Sequence, residues 1–185
     1  MNGAEVTLAD MLRCREKRAA MQRAALERYH STLISFCMNI PGPVKTNDEI
    51  YRLYTDGVLQ INSTLQREKI RVFARQGTLA PTGDEMLLCV DADAGRCKSL
   101  MQHIEDTHPL GRLFDIDVID QTGQKISRSQ YRTCLLCGEQ AQICARMRRH
   151  SVPQMQERIN QMLQEWISSV KETEIAFHKS LTESP

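Results

Sequence analysis

The chain has 185 residues, of which 41% are hydrophobic and 25% are charged, the composition of an ordinary globular protein with enough material for one core. Its formal net charge of +1 argues against a globally basic nucleic-acid-binding protein. The longest uncharged apolar segment, residues 31–44, is too short and too interrupted by proline to cross a membrane, so we expect no membrane partner.

Seven cysteines occur in a chain whose start does not resemble a secretion signal, since Glu5 and Asp10 stand near the N-terminus and no apolar stretch follows a basic one. This cysteine content without a signal indicates a reducing compartment, where disulfides are rare. We therefore predict a cytoplasmic protein without disulfides.

The first predicted element is a helix over residues 7–29, capped by Thr7 and carrying leucines and alanines at helical spacing. A buried strand at 31–38 ends in a loop, residues 39–45, whose prolines and glycine exclude regular structure. The later predicted elements are a helix at 48–67, strands at 70–75 and 85–90, a helix at 94–107, a strand at 113–119 and a long helix at 153–179.

Read in order, residues 31–120 give the pattern β-α-β-β-α-β. This is the order of an α+β fold of the ferredoxin-like sandwich type, with helices on one side of an antiparallel sheet. We expect this core, the N-terminal helix, a loop rich in cysteine and arginine at 128–151 and the C-terminal helix to form one domain over residues 1–185.

The strand at 113–119 carries two aspartates, Asp115 and Asp117, which alternation places on the same face. Two carboxylates on one face can bind a hard divalent cation, and we predict Mg²⁺ here. Gly111 permits a tight turn or a close approach to a ligand, and Arg112 offers a positive charge for phosphate. Together these residues favour metal-assisted phosphoryl or nucleotidyl transfer, although a solvated strand face would show the same pattern.

Further carboxylates stand at the ends of neighbouring elements. Asp93 is placed to cap the helix that begins at residue 94. Asp91 closes the strand at 85–90 and could lie near Asp115 and Asp117 if the strands are neighbours.

A second constellation is formed by Cys134, Cys137, Cys144 and His150. Three thiolates and an imidazole can complete a tetrahedral zinc site, and the Cys-x2-Cys spacing has the right geometry for it. A redox-active Cys-x-x-Cys pair and ordinary buried thiols are the competing interpretations.

Positive charge is concentrated around these cysteines. Residues 128–149 contain five arginines against one acid, a local charge of +4 that suits a phosphate-rich ligand. Arg146 and Arg148 are the candidates in this segment, and Lys45 is a further candidate at the end of the proline-glycine loop. The same charges would also suit a solvated surface.

Residues 39–45, 108–118 and 132–150 together resemble the citrate lyase holo-acyl-carrier-protein synthases, which are the apo-citrate lyase phosphoribosyl-dephospho-CoA transferases. The resemblance covers roughly residues 8–151, and the Gly-Arg-Leu-Phe-Asp-x-Asp block is its specific part. It implies a nucleotidyltransferase that attaches 2'-(5''-triphosphoribosyl)-3'-dephospho-CoA to a serine of the citrate lyase acyl carrier protein subunit and releases diphosphate.

The resemblance also implies roles for the residues singled out above. Asp115 and Asp117 would bind Mg²⁺, and one of them would accept the serine proton. Gly111, Arg112, Lys45, Arg146 and Arg148 would bind the donor, Arg112 first among them.

Two other functions are compatible with parts of the sequence. One is a zinc-stabilised module without catalytic activity that binds nucleic acid or protein, although only 5% of the residues are aromatic and few could stack on bases. The other is an assembly protein that holds the carrier subunit through Trp166 and its helix.

Overall fold

A computed structural model describes residues 1–128 and 130–182, with side chains described up to residue 172. Its elements are α1 (Leu8–Tyr29), β1 (Thr32–Met38), α2 (Asp48–Arg67), β2 (Val72–Thr78), β3 (Glu85–Val90), α3 (Ala94–Thr107), β4 (Phe114–Ile119), α4 (Ala141–Arg146) and α5 (Val152–Thr182). A short 3-10 turn, Gly111–Leu113, leads into β4. The predicted mixture of helices and strands is confirmed.

Side-chain caps fix where the helices begin. The Thr7 hydroxyl accepts a hydrogen bond from the Asp10 amide, and the Asp10 carboxylate accepts one from the Thr7 amide, which is a complete capping box. The side chains of Asn47 and Asp93 cap α2 and α3 by accepting hydrogen bonds from the amides of Ile50 and Arg96. The role expected for Asp93 is confirmed.

The four strands form one sheet in the order β2-β3-β1-β4, and every neighbouring pair is antiparallel. Asp117 of β4 stands opposite Ser35 of β1, and Asp115 stands opposite Cys37. On the other side of β1, Glu85 of β3 stands opposite Cys37. This register places Asp115, Cys37 and Glu85 in one row across three strands.

The two faces of the sheet are covered differently. Phe36, Leu88 and Ile116 point to the main core, which also contains buried side chains of α2, α3 and α5. The opposite face carries a smaller apolar cluster of Leu33, Leu87, Cys89 and Ile119, and α1 packs on it. Since side chains alternate along β4, Asp115 and Asp117 lie on the α1 side.

Several predictions about individual elements were wrong in detail. Leu8 and Leu12 of α1 were expected on an apolar stripe, but they are 77% and 49% exposed, and no residue of α1 is buried. β2 runs from Val72 to Thr78 rather than over 70–75, because its pairing with β3 extends to Thr78 opposite Glu85. The segment predicted as a cysteine-rich loop contains the short helix α4.

The long C-terminal helix is present and begins at Val152. Its side chains Ile159 and Leu163 are fully buried in the main core, so the helix is anchored by its first half. None of the helices among the described residues combines the length and apolar character needed to cross a membrane.

Candidate active site and metal cluster

Asp115 and Asp117 are half-buried on one face of β4, as alternation predicts. Oδ2 of Asp115 lies 3.8 Å from the Cys37 thiol, and Oδ2 of Asp117 lies 2.6 Å from the ammonium nitrogen of Lys125. The pair therefore faces partly open space, with a cation already beside one carboxylate. Carboxylate oxygens are suitable ligands for Mg²⁺, but Asp117 could bind it fully only if Lys125 moved aside.

The polar row beside this pair is closed by α1. Arg18 forms an ion pair with Glu85, and the Cys14 thiol donates to the same carboxylate. Burial raises the pKa of the Cys37 thiol to about 12, so this group stays protonated at neutral pH. Arg18 is turned towards the sheet by its carboxylate partner.

The position suggested for Asp91 was wrong. β3 and β4 run in the same direction, since both are antiparallel to β1, and Asp91 follows the last residue of β3. It therefore lies at the far end of the sheet from Asp115, in a cleft shared with Asp120.

The four predicted metal ligands are close together. The ligand atoms of Cys134, Cys137, Cys144 and His150 all lie within 4.8 Å of one another. The Sγ atoms of Cys137 and Cys144 are 3.4 Å apart, and Nε2 of His150 is 3.2 Å from Sγ of Cys137. Ligand atoms of tetrahedral zinc, bonded at about 2.0–2.3 Å, lie roughly 3.3–3.8 Å apart, so the donor set and its spacing fit a metal such as zinc.

A cavity of about 640 Å³ adjoins this cluster. It lies between the 39–41 loop, the start of β4, the cysteine segment and the start of α5. Three of the four candidate metal ligands, Cys134, Cys144 and His150, line it, and so do Arg112 and Arg148. The cavity therefore brings two of the predicted phosphate-binding cations together beside the cluster.

Arg112 is held in a position that leaves most of its donors free. Its Nη2 donates to the carbonyl of Thr133, whereas Nε and Nη1 are buried without a hydrogen-bond partner among the described residues. Burial lowers the pKa of this guanidinium, and nearby Arg132 and Arg128 act in the same direction. A buried cation among cations is an unfavourable arrangement that a bound anion would relieve.

A buried carboxylate, Glu105 of α3, is the centre of a hydrogen-bond network near Arg112. Glu105 accepts hydrogen bonds from the Ile116 amide, Arg128 and Arg132, and Arg132 also donates to the carbonyl of Phe114. This network ties the cysteine segment to β4. Sequence reasoning missed Glu105, although its place four residues after Met101, on the apolar stripe of α3, was a usable signal.

The other predicted donor-binding residues lie elsewhere. The Lys45 ammonium donates to the carbonyl of Ile40 at 2.7 Å, and Arg146 is exposed outside the cavity lining. Gly111 packs against α3, where a Cβ atom would lie 2.3 Å from the carbonyl oxygen of Glu105. In this structure, Gly111 is required for a close backbone contact.

Comparison with known proteins adds a family to this geometry. Residues 6–166 match the family described as apo-citrate lyase phosphoribosyl-dephospho-CoA transferase. A Vibrio cholerae protein named probable apo-citrate lyase phosphoribosyl-dephospho-CoA transferase is 39% identical over 87% of this chain and 93% of its own length. An Escherichia coli protein named apo-citrate lyase phosphoribosyl-dephospho-CoA transferase is 32% identical over 85% of this chain and 88% of its own length. The chain therefore belongs to the apo-citrate lyase phosphoribosyl-dephospho-CoA transferase family.

Proposed function

We propose that this protein is a nucleotidyl-type transferase that attaches the phosphoribosyl-dephospho-CoA group to the acyl carrier protein subunit of apo-citrate lyase. The observation that carries the proposal is the similarity to transferases of that name along most of both chains. The donor is 2'-(5''-triphosphoribosyl)-3'-dephospho-CoA. A serine oxygen of the carrier attacks its α-phosphorus, a phosphodiester forms and diphosphate leaves.

We assign the metal-binding and proton-accepting roles to Asp115 and Asp117. Their donor type suits Mg²⁺, and their shared face supports a joint role. When bound, Mg²⁺ supplies the positive charge that a triphosphate and its leaving diphosphate require. One carboxylate accepts the proton of the serine hydroxyl, and Lys125 balances the charge of Asp117 in the free protein.

We assign phosphate binding first to Arg112 and Arg148, because both line the cavity beside the metal cluster. Lys45, Arg146 and Gly111 complete the proposed donor-binding set. Lys45 and Arg146 would reach phosphate only from outside that cavity, so we rank them below the two cavity arginines.

The Cys134, Cys137, Cys144 and His150 cluster is proposed as a structural zinc site. All four positions of a tetrahedron are supplied by protein atoms, which is the arrangement of closed, structural zinc. Its role is to fix the wall of the cavity and the main chain at Thr133, which accepts the hydrogen bond of Arg112.

The strand order β2-β3-β1-β4, with α2 and α3 as the two crossovers, supports a ferredoxin-like arrangement of the core. We further propose that residues 1–185 act as one transferase domain. None of its seven cysteines, all of which lie in the described residues, forms a disulfide, which is in keeping with work in the cytoplasm.

Incubation of apo carrier, the triphosphoribosyl donor and Mg²⁺ with the protein tests the proposal by intact mass spectrometry. A mass increase equal to the donor minus diphosphate, absent when the acceptor serine is replaced by alanine, is the expected result. Binding of the carrier without any mass change would contradict catalysis and favour an assembly protein. Tight, salt-dependent binding of an unrelated oligonucleotide with no modification would instead favour a nucleic-acid-binding module.

A further inference from the structure

The cavity beside the metal cluster has a charged end and an apolar end. Arg112 and Arg148 supply the charge, and Leu135, Val152 and Met155 supply much of the apolar wall. Its volume of about 640 Å³ lies within the usual range of roughly 300–1,000 Å³ for pockets that bind cofactors and other small molecules.

We infer that this cavity binds the dephospho-CoA part of the donor, with the internal diphosphate at Arg112 and the pantetheine arm along the apolar wall. The inference rests on the proposed function, which supplies the identity of the donor. It divides the donor between two places: the dephospho-CoA part in the cavity, and the reacting triphosphate on the Asp115 and Asp117 side of β4.

The charged end is built for an anion. Arg112 lines the cavity, and its Nε and Nη1 are buried and make no hydrogen bond to any described residue, so no carboxylate there neutralises its charge through these nitrogens. Arg148 lies on the same cavity, and no lining residue within the described part of the chain is an aspartate or glutamate. An anionic ligand would therefore meet two positive charges without a competing carboxylate.

The apolar end of the cavity suits the dephospho-CoA part of the donor better than the triphosphate. Leu135 packs partly against the main core, and Val152 and Met155 belong to the first turn of α5. A triphosphate is charged along its whole length and would leave this wall without a complementary group. The diphosphate and pantetheine arm of dephospho-CoA offer charge followed by a long, mostly neutral chain, which matches the order of the lining.

Placing the two parts of the donor in different places also leaves the reacting phosphorus accessible to the acceptor. The attacking serine belongs to a protein, so the α-phosphorus must be reached from the surface. Asp115 lies three residues after Arg112, at the start of the strand that faces α1. A donor anchored in the cavity by its dephospho-CoA part would keep its triphosphate outside the cavity and available to the acceptor.

Calorimetric titration tests the inference with three probes: dephospho-CoA, ADP, which lacks the pantetheine arm, and inorganic triphosphate with Mg²⁺. We expect wild-type protein to bind dephospho-CoA more tightly than ADP. Arg112→Met should weaken dephospho-CoA binding by about tenfold or more and triphosphate binding by less than about twofold. Arg52→Met removes an exposed arginine of α2 outside the cavity lining and should change none of the three affinities.

Thermal unfolding shows whether Arg112→Met is folded. If Arg112→Met is unfolded, the same titrations are done with Arg148→Met, because Arg148 is exposed to solvent at the cavity and its replacement leaves the core unchanged. Equal binding of ADP and dephospho-CoA, unchanged dephospho-CoA affinity in the folded variants, a larger loss for triphosphate, or no measurable binding of dephospho-CoA to wild type would each overturn the inference.

The two proposals fail separately. A protein that binds dephospho-CoA through Arg112 but never modifies the carrier contradicts the proposed function alone. A protein that modifies the carrier, while Arg112→Met and Arg148→Met leave the KM for the donor unchanged, contradicts the cavity assignment and the phosphate-binding role of the two arginines, but not the transferase activity.

Discussion

The ammonium nitrogen of Lys125 lies 2.6 Å from Oδ2 of Asp117, so a side-chain cation occupies the position beside this carboxylate oxygen that the proposed metal ion would take. Lys125 is 59% exposed, which means that it can swing into solvent without disturbing the core. A lysine in this position competes with a divalent cation for the same carboxylate.

Lys125→Met should therefore lower the Mg²⁺ concentration that gives half-maximal transfer, by about two- to fivefold, which is the strength of an exposed ion pair. Initial rates measured against Mg²⁺ concentration would detect the shift. Lys17→Met, which removes an exposed lysine of α1, is the matched control. A higher Mg²⁺ requirement in Lys125→Met would count against Asp117 as a ligand.

Asp115→Asn and Asp117→Asn should each reduce transfer by about 100-fold or more, because an amide neither balances the charge of a metal ion nor accepts the serine proton. Far-UV circular dichroism and thermal unfolding should match wild type, since both side chains are half-buried and outside the main core. Asp91→Asn changes an exposed carboxylate at the other end of the sheet and should retain activity. Wild-type turnover in both variants would refute the assignment.

Purified protein should contain about one equivalent of zinc, measured by elemental mass spectrometry. Cys137→Ser should lose the metal and unfold at a lower temperature, because it removes one of four ligands from a closed site. Cys14→Ser replaces a thiol outside the cluster and should keep the zinc. Metal-free protein that melts like the metal-bound form would rule out a structural role.

The stability of the protein should fall above pH 9 because of Cys37. Its thiol has an ordinary pKa of 9.0 in the unfolded chain, and burial raises the pKa to about 12 in the fold. The folded state thus retains the proton more strongly, and the resulting stabilisation, complete below pH 9, is lost as pH rises towards 12. Between pH 8.5 and 10, wild type should lose about 1 kcal/mol more than Cys37→Ala in urea unfolding. Ser35→Ala, which removes no titrating group, should follow wild type.

Gly111→Ala should destabilise the fold by about 1–3 kcal/mol, because the added methyl group would meet the backbone of Glu105. Urea unfolding measures the change. Gly77→Ala is the control, since its nearest neighbour would be 3.8 Å away, an ordinary contact. A Gly111→Ala variant as stable as wild type would show that the backbone of α3 near Glu105 can shift to accommodate the methyl group.

Local pattern was enough to predict which of these side chains lie close together. Asp115 and Asp117 share a face because alternation is a property of the strand itself. The cysteines and His150 meet because they belong to one short segment, in which the Cys-x2-Cys spacing constrains the geometry. The bounds of α2, β3 and α3 followed equally from caps and spacing.

What depended on distant contacts could not be predicted. Arg112 and Lys45 were both predicted to bind the donor, with Arg112 ranked first, but the sequence did not show that only Arg112 lies in the cavity, where the chain returns over the start of β4 at Thr133. Arg18 turned inward because Glu85, 67 residues away, offers a carboxylate. Such pairings belong to the tertiary fold, and periodicity within one element carries no information about them.

Helix α1 covers the carboxylate face without burying any of its own residues. Lifting it would expose the smaller apolar cluster of Leu33, Leu87, Cys89 and Ile119 and break the Arg18–Glu85 ion pair, whereas removing α2, which contributes Ile50, Leu53 and Ile61, would open the main core. If Asp115 and Asp117 act on a large protein acceptor, displacing α1 to admit it would uncover a smaller apolar cluster than displacing α2 would.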